Sequence, residues 1–178
     1  IFERLDCTVF PGIEINVDKG HLLLISDNDN LDDFQHKANL IHERVMADGT
    51  VSVEMLSEIY GDLSNYLLIP HYGKRPAILG ETLDQLRNYI CAGEVDSPKK
   101  FIRMAKDDTE FTPVICSDVR IKDDINKFPS RQTYIDCGDL TLVALKNTLR
   151  DRSKVSLSES GGNALFQVFD DGQMLSTG

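Results

Sequence analysis

Hydrophobic and polar positions in this chain alternate in two rhythms, short runs of period two and longer stretches of period near 3.6. Residues 10–17 read as a strand in which Ile13, Ile15 and Val17 face one way and Glu14 and Asn16 the other. His21 opens a short apolar run to Ile25 that the polar stretch 26–30 terminates, as suits a buried strand. Leu31, Phe34, Ala38, Ile41 and Val45 then recur at spacings of three and four, which predicts a helix capped by Asn30 and ended before Gly49. A shorter helix is predicted over 53–60, followed by a strand at 66–69 that delivers Pro70, His71 and Tyr72. Thr82, Leu83, Asp84 and Gln85 have the form of a capping box and predict a helix closing at Gly93. Ser97 before Pro98 marks the start of another, reaching about Ala105. Strands are predicted at 113–116 and 133–135, and a helix over 140–149 carries Leu142, Leu145 and Leu149 on one face.

This alternation predicts one α/β domain over residues 1–160, built on a largely parallel sheet. Ser158, Glu159, Ser160, Gly161 and Gly162 read as a linker. Beyond it, residues 164–169 and 174–175 flank Asp171 and Gly172, a hairpin signal. Residues 161–178 are therefore expected to be a linker and β-hairpin, the possible start of a second domain.

Composition narrows the partners. With 41% hydrophobic and 27% charged residues the chain can build a core. Its formal charge of −10, from 29 acids against 19 bases, repels phosphate backbones, so direct binding of nucleic acid is not expected. No apolar run approaches the roughly 20 residues of a membrane span, and no basic segment followed by an apolar one opens the chain. The expectation is a cytoplasmic protein with no membrane partner, and the absent initiator Met suggests a piece of a longer polypeptide. Cys7, Cys91, Cys116 and Cys137 are widely spaced with no Cys-x-x-Cys pair, which predicts reduced, mostly buried thiols.

In a parallel sheet, functional side chains gather at the C-terminal ends of strands. Glu14, His21, His71 and Asp118 all stand at or near predicted strand ends, and carboxylates and imidazoles suit Zn²⁺, Mn²⁺ or Fe. Lys74, Arg75 and Arg120 could pair with a phosphate, or with the abundant acids. His36 and His42 fall off the apolar stripe of their helix and read as solvated surface, as do Lys99 and Lys100.

The order of these motifs resembles the PHP (polymerase and histidinol phosphatase) domain of metal-dependent phosphoesterases. Phe10, Pro11, Gly12, Ile13 and Glu14, followed by His21 and its leucines, are similar to the family's Pro-Gly-x-Glu strand, whose Glu bridges metals, and to the next ligand His. Ile69, Pro70 and His71 resemble a later ligand-bearing strand, and Ser117, Asp118, Val119 and Arg120 the closing Ser-Asp-x-His motif. Taken together, roughly residues 8–157 resemble a PHP domain of the kind fused to an SMC-like or AAA-like ATPase. The resemblance implies part of a distorted (β/α)7 barrel with a C-terminal hairpin like the one that opens such ATPases. It also implies Zn or Mn at an intact site, ATP bound by the full-length protein, and the ATPase domain of the same polypeptide as partner, with a homo-oligomer possible. Two departures bear on activity. The family's opening His-x-His has no counterpart before Phe10, and Arg120, which has no lone pair to donate, stands where the final His belongs. The expectation is a domain without phosphoesterase activity and without a tightly held metal, serving a structural or regulatory role. The alternative is a metal-dependent phosphoesterase completed by residues upstream of Ile1.

Overall fold

The first two strands are joined by only two residues, Asp18 and Lys19, and a connection that short can only return the chain antiparallel. In the computed structural model, which describes residues 8–45, 47–107, 109–117, 132–157 and 164–166, β1 (Gly12–Val17) and β2 (Gly20–Ile25) accordingly pair antiparallel, with Val17 opposite Gly20. Asp18 takes a φ of 50° at the turn, a left-handed conformation that Asp tolerates better than most residues. Helices α1 (Leu31–Arg44) and α2 (Val53–Tyr60) then lead into β3 (Leu67–Gly73), which lies antiparallel to β2. After α3 (Gly80–Leu86) come β4 (Gly93–Val95), α4 (Pro98–Lys106) and β5 (Pro113–Ile115), with β3, β4 and β5 mutually parallel. The sheet order is β1-β2-β3-β4-β5. The expected largely parallel sheet is thus a mixed one, because the two-residue turn and the 26–66 crossover both reverse the chain. Among the described residues the sheet stays open and closes into no barrel.

A second sheet packs alongside. Strand β6 (Thr133–Ile135) is flanked by β7 (Val155–Ser156) and β8 (Ala164–Phe166), both antiparallel to it, and α5 (Leu142–Leu149) connects β6 to β7. The strand expected at 164–169 is therefore present over 164–166 and pairs with β6. The expected return strand at 174–175, the turn at Asp171 and Gly172, and the linker at 158–162 lie outside the described residues. Thr133 joins the two sheets: its buried hydroxyl accepts from the Ile115 amide and donates to the Ile115 carbonyl, both at 2.9 Å.

Two cores follow from the alternation. Ile15, Val17, Leu22, Leu24 and Leu68 pack against α1, α2 and α3 on one face. Leu23, Ile25, Leu67 and Ile69 belong to a second cluster with Phe101 and Met104 of α4 and Leu142, Leu145 and Leu149 of α5. Caps at Asn30, Ser97 and Thr141 accept from the amides of Asp33, Lys100 and Ala144. The Thr82 capping box does not form. Helix α3 begins two residues earlier, and the Thr82 hydroxyl instead donates to Asp18 Oδ2 at 2.6 Å. Nor does α3 run to Gly93. Beyond Leu86 the chain is drawn to the sheet, where the Cys91 amide donates to the Leu68 carbonyl and β4 begins at Gly93.

Candidate metal centre

Strand register brings four polar side chains from four strands into one row. Glu14 stands opposite Leu23, two residues along β2 from His21, so Glu14 and His21 are diagonal neighbours. Leu22 pairs with Pro70, which places His21 beside His71. His71 is in turn the register partner of Glu94 on β4. The result is close packing of unlike groups. His21 Nδ1 contacts Glu14 Oε1, and His71 Nε2 lies 3.4 Å from the same oxygen. The two imidazole centroids are 4.8 Å apart with a 40° tilt. One ligand atom from each of Glu14, His21 and His71 falls within 4.8 Å of the other two.

Burial deepens across the row. The side chains of His21 and Glu14 keep 30% and 19% of their exposure, while His71 keeps 2% and Glu94 1%. Glu94 Oε1 accepts from Lys74 Nζ at 2.9 Å, and Glu94 Oε2 lies 3.2 Å from His71 Nε2. Both ring nitrogens of His71 and Glu94 Oε2 are buried without a hydrogen-bond partner among the described residues. Such atoms are costly unless something satisfies them.

The loop after β3 fixes this geometry. The Ile78 amide donates to the His71 carbonyl at 3.0 Å, and the His21 amide donates to the Pro76 carbonyl at 3.2 Å, so one loop holds both histidines by their backbones. Gly20 makes the approach possible: a Cβ there would sit 2.7 Å from the Ile78 nitrogen and 2.8 Å from the Ala77 carbonyl carbon. Gly73 serves likewise at the β3–β4 irregularity, where a Cβ would meet Val95 Cγ1 at 2.7 Å.

An open cleft of about 950 Å³ borders the row at Gly20 and Lys74. Five cationic side chains line it (Lys19, Lys74, Arg75, Lys100 and Arg103) against three carboxylates. Lys100 is partly committed, donating to the Gly73 carbonyl at 2.7 Å and to Asp96 at 2.5 Å, and this hydrogen bond holds the Asp96 carboxyl below its usual range. Lys74 is likewise bound to Glu94, whereas Arg75 is exposed at the rim.

Of the residues singled out by sequence, Glu14, His21 and His71 converge. Asp118 and Arg120 lie outside the described residues. His36 and His42 are exposed on α1, and Cys91, Cys116 and Cys137 are buried and form no disulfide among the described residues. The sequence pattern does not single out Glu94. Its signal is an acid isolated among Cys91, Ala92, Gly93 and Val95, a run too short and small to read as a strand when Thr82 and Gly93 suggest the ends of a helix.

The donor set fits a metal ion. It combines two imidazoles with a carboxylate, the mixture that Zn²⁺ and Mn²⁺ accept, and the buried Nε2 of His71, which has no hydrogen-bond partner among the described residues, would be a lone-pair donor. No protein-family model, curated protein or solved structure matches this chain.

Proposed function

We propose that the chain is a PHP-like domain that binds one divalent transition metal ion, of the zinc or manganese kind, through Glu14, His21 and His71. The observation that carries this reading is the convergence of the three ligand atoms within 4.8 Å, with the imidazole of His71 buried and without a hydrogen-bond partner among the described residues. It favours a filled centre over the vestigial one expected from the sequence departures. A bound ion would polarise a phosphoryl oxygen and lower the pKa of a bound water. The chain's own residues hold the site in shape: the 76–78 loop fixes both histidine backbones, Glu14 lies against both imidazoles, and Lys74 offsets the charge of Glu94.

Hydrolysis of a phosphoester by the two-metal route needs a second ion, which three ligands do not hold. The isolated chain is therefore proposed to be catalytically silent, and to act structurally or as a regulator within a larger ATP-binding polypeptide whose ATPase domain it contacts. An upstream His-x-His segment would convert the same centre into a metal-dependent phosphoesterase. On this reading the open five-stranded sheet is part of the family's distorted barrel.

Equilibrium dialysis of the metal-stripped chain against Zn²⁺ and Mn²⁺ tests the proposal. About one tightly bound ion per chain is expected, with binding abolished in His71→Ala. Failure of the unsubstituted chain to bind either ion would leave only the silent scaffold.

A further inference from the structure

We propose that Glu94 is a fourth protein ligand of this centre, making the donor set two imidazoles and two carboxylates. The inference rests on the metal-binding reading above and assigns the one buried acid of the row that reading leaves idle. Three observations converge on it.

The first is spacing. His71 Nε2 lies 3.2 Å from Glu94 Oε2 and 3.4 Å from Glu14 Oε1. Ions bonded to nitrogen and oxygen at about 2.0–2.1 Å in tetrahedral geometry hold neighbouring ligand atoms roughly 3.3 Å apart. Both measured separations fall on that edge length, while Glu94 stands outside the set of donor atoms that all lie within 4.8 Å of one another, so on binding its carboxylate would swing toward Glu14 and His21 to close the tetrahedron. The second is direction. Although these distances would suit hydrogen bonds, Nε2 has no aligned hydrogen-bond partner among the described residues, and neither has Oε2. An imidazole and a carboxylate paired through a shared proton would be aligned. Two donors aimed at a common third point need not be.

The third observation is charge. Glu94 is wholly buried, and an ionised carboxylate in that position needs compensation on both oxygens. Lys74 Nζ reaches Oε1 at 2.9 Å and leaves Oε2 facing His71. The ammonium thus selects which oxygen is free, and the carboxylate is set to bind through that oxygen alone. Register supports the assignment, since His71 and Glu94 are direct partners on adjacent parallel strands.

Cobalt(II) provides the probe, because its visible spectrum reports the ligand field and thiolate ligation adds a charge-transfer band. In the metal-stripped chain, Glu94→Gln is expected to weaken Co²⁺ binding at least tenfold and to alter the ligand-field spectrum. Glu94→Cys should introduce a thiolate-to-cobalt band absent from the unsubstituted chain. Weakened binding in Glu94→Gln with an unchanged spectrum would make Glu94 a positioning residue for His71 and overturn the proposal. Unchanged affinity would overturn it as well. If neither variant folds, anomalous diffraction from the zinc-loaded unsubstituted chain decides: zinc within bonding distance of Glu94 Oε2 supports the assignment, and zinc bound only by other groups overturns it. Should the unsubstituted chain bind no Co²⁺ and no Zn²⁺, the centre itself is refuted, a result distinct from the failure of Glu94 alone.

Discussion

Cys91 lies in the second core with 2% exposure, and its removal from water raises the thiol above its usual range, an effect that Arg150 and Lys146 partly oppose. A free thiol titrates near 8.5, so in the unfolded chain Cys91 ionises first. The raised folded value means that the stability is fully present below about pH 8.5 and is lost as pH rises through the folded value. Between pH 8 and pH 10 the melting temperature of the unsubstituted chain should fall more steeply than that of Cys91→Ala, even though the variant starts lower because of its cavity. Parallel slopes would contradict the burial. Keeping the scan below about pH 10 leaves out Tyr60, whose phenol is also raised by burial. At this scale three site residues are legible in the sequence, because Glu14, His21 and His71 each interrupt or border an apolar strand pattern with a metal donor. Glu94 is not, since its meaning comes from a parallel register with His71 that local pattern does not encode.

Helix starts are the most legible elements, because a cap is a local event: Asn30 and Ser97, both read from the sequence, each bond an amide three residues on. The failures are equally physical. Thr82 is taken by Asp18 from across the turn, and the segment after Leu86 is captured by the edge of β3, so two tertiary bonds override a good local signal. The loop over Gly20 offers a test at this level. Gly20→Ala forces a methyl against the backbone at Ala77 and Ile78, and overpacking of this kind costs about 1–3 kcal/mol. Urea unfolding should register that loss. The same variant should weaken metal binding, because the displaced loop holds both His21 and His71 by their backbones. A fully stable Gly20→Ala with unchanged metal affinity would show that the loop does not position the site.

At the scale of the whole molecule, α/β character and the run of strands and helices apart from β4 follow from periodicity, while β4, the mixed sheet and its coupling to a second sheet do not. Thr133 is legible as part of a strand but not as the joint between two sheets. Replacing it by Val keeps the shape and orphans both the amide and the carbonyl of Ile115, each costing about 1–3 kcal/mol when buried. Thr133→Val is expected to lower stability by at least that amount for one group, and Thr133→Ser to recover most of it. Equal stability of the Val variant would mean that water reaches the joint. The two-residue turn between β1 and β2 has a kinetic consequence. Glu14 and His21 are seven residues apart, whereas His71 arrives about 50 residues later. By loop-closure entropy the first pairing is favoured over the second by roughly 1.7 kcal/mol. Half of the proposed centre is thus encoded within a single hairpin of low contact order, and the other half waits on the slow, long-range docking of β3 against β2 and then of β4 against β3. An ion captured by the completed row would bind after that docking and act chiefly on the rate of unfolding, so metal should slow unfolding far more than it speeds refolding in stopped-flow measurements.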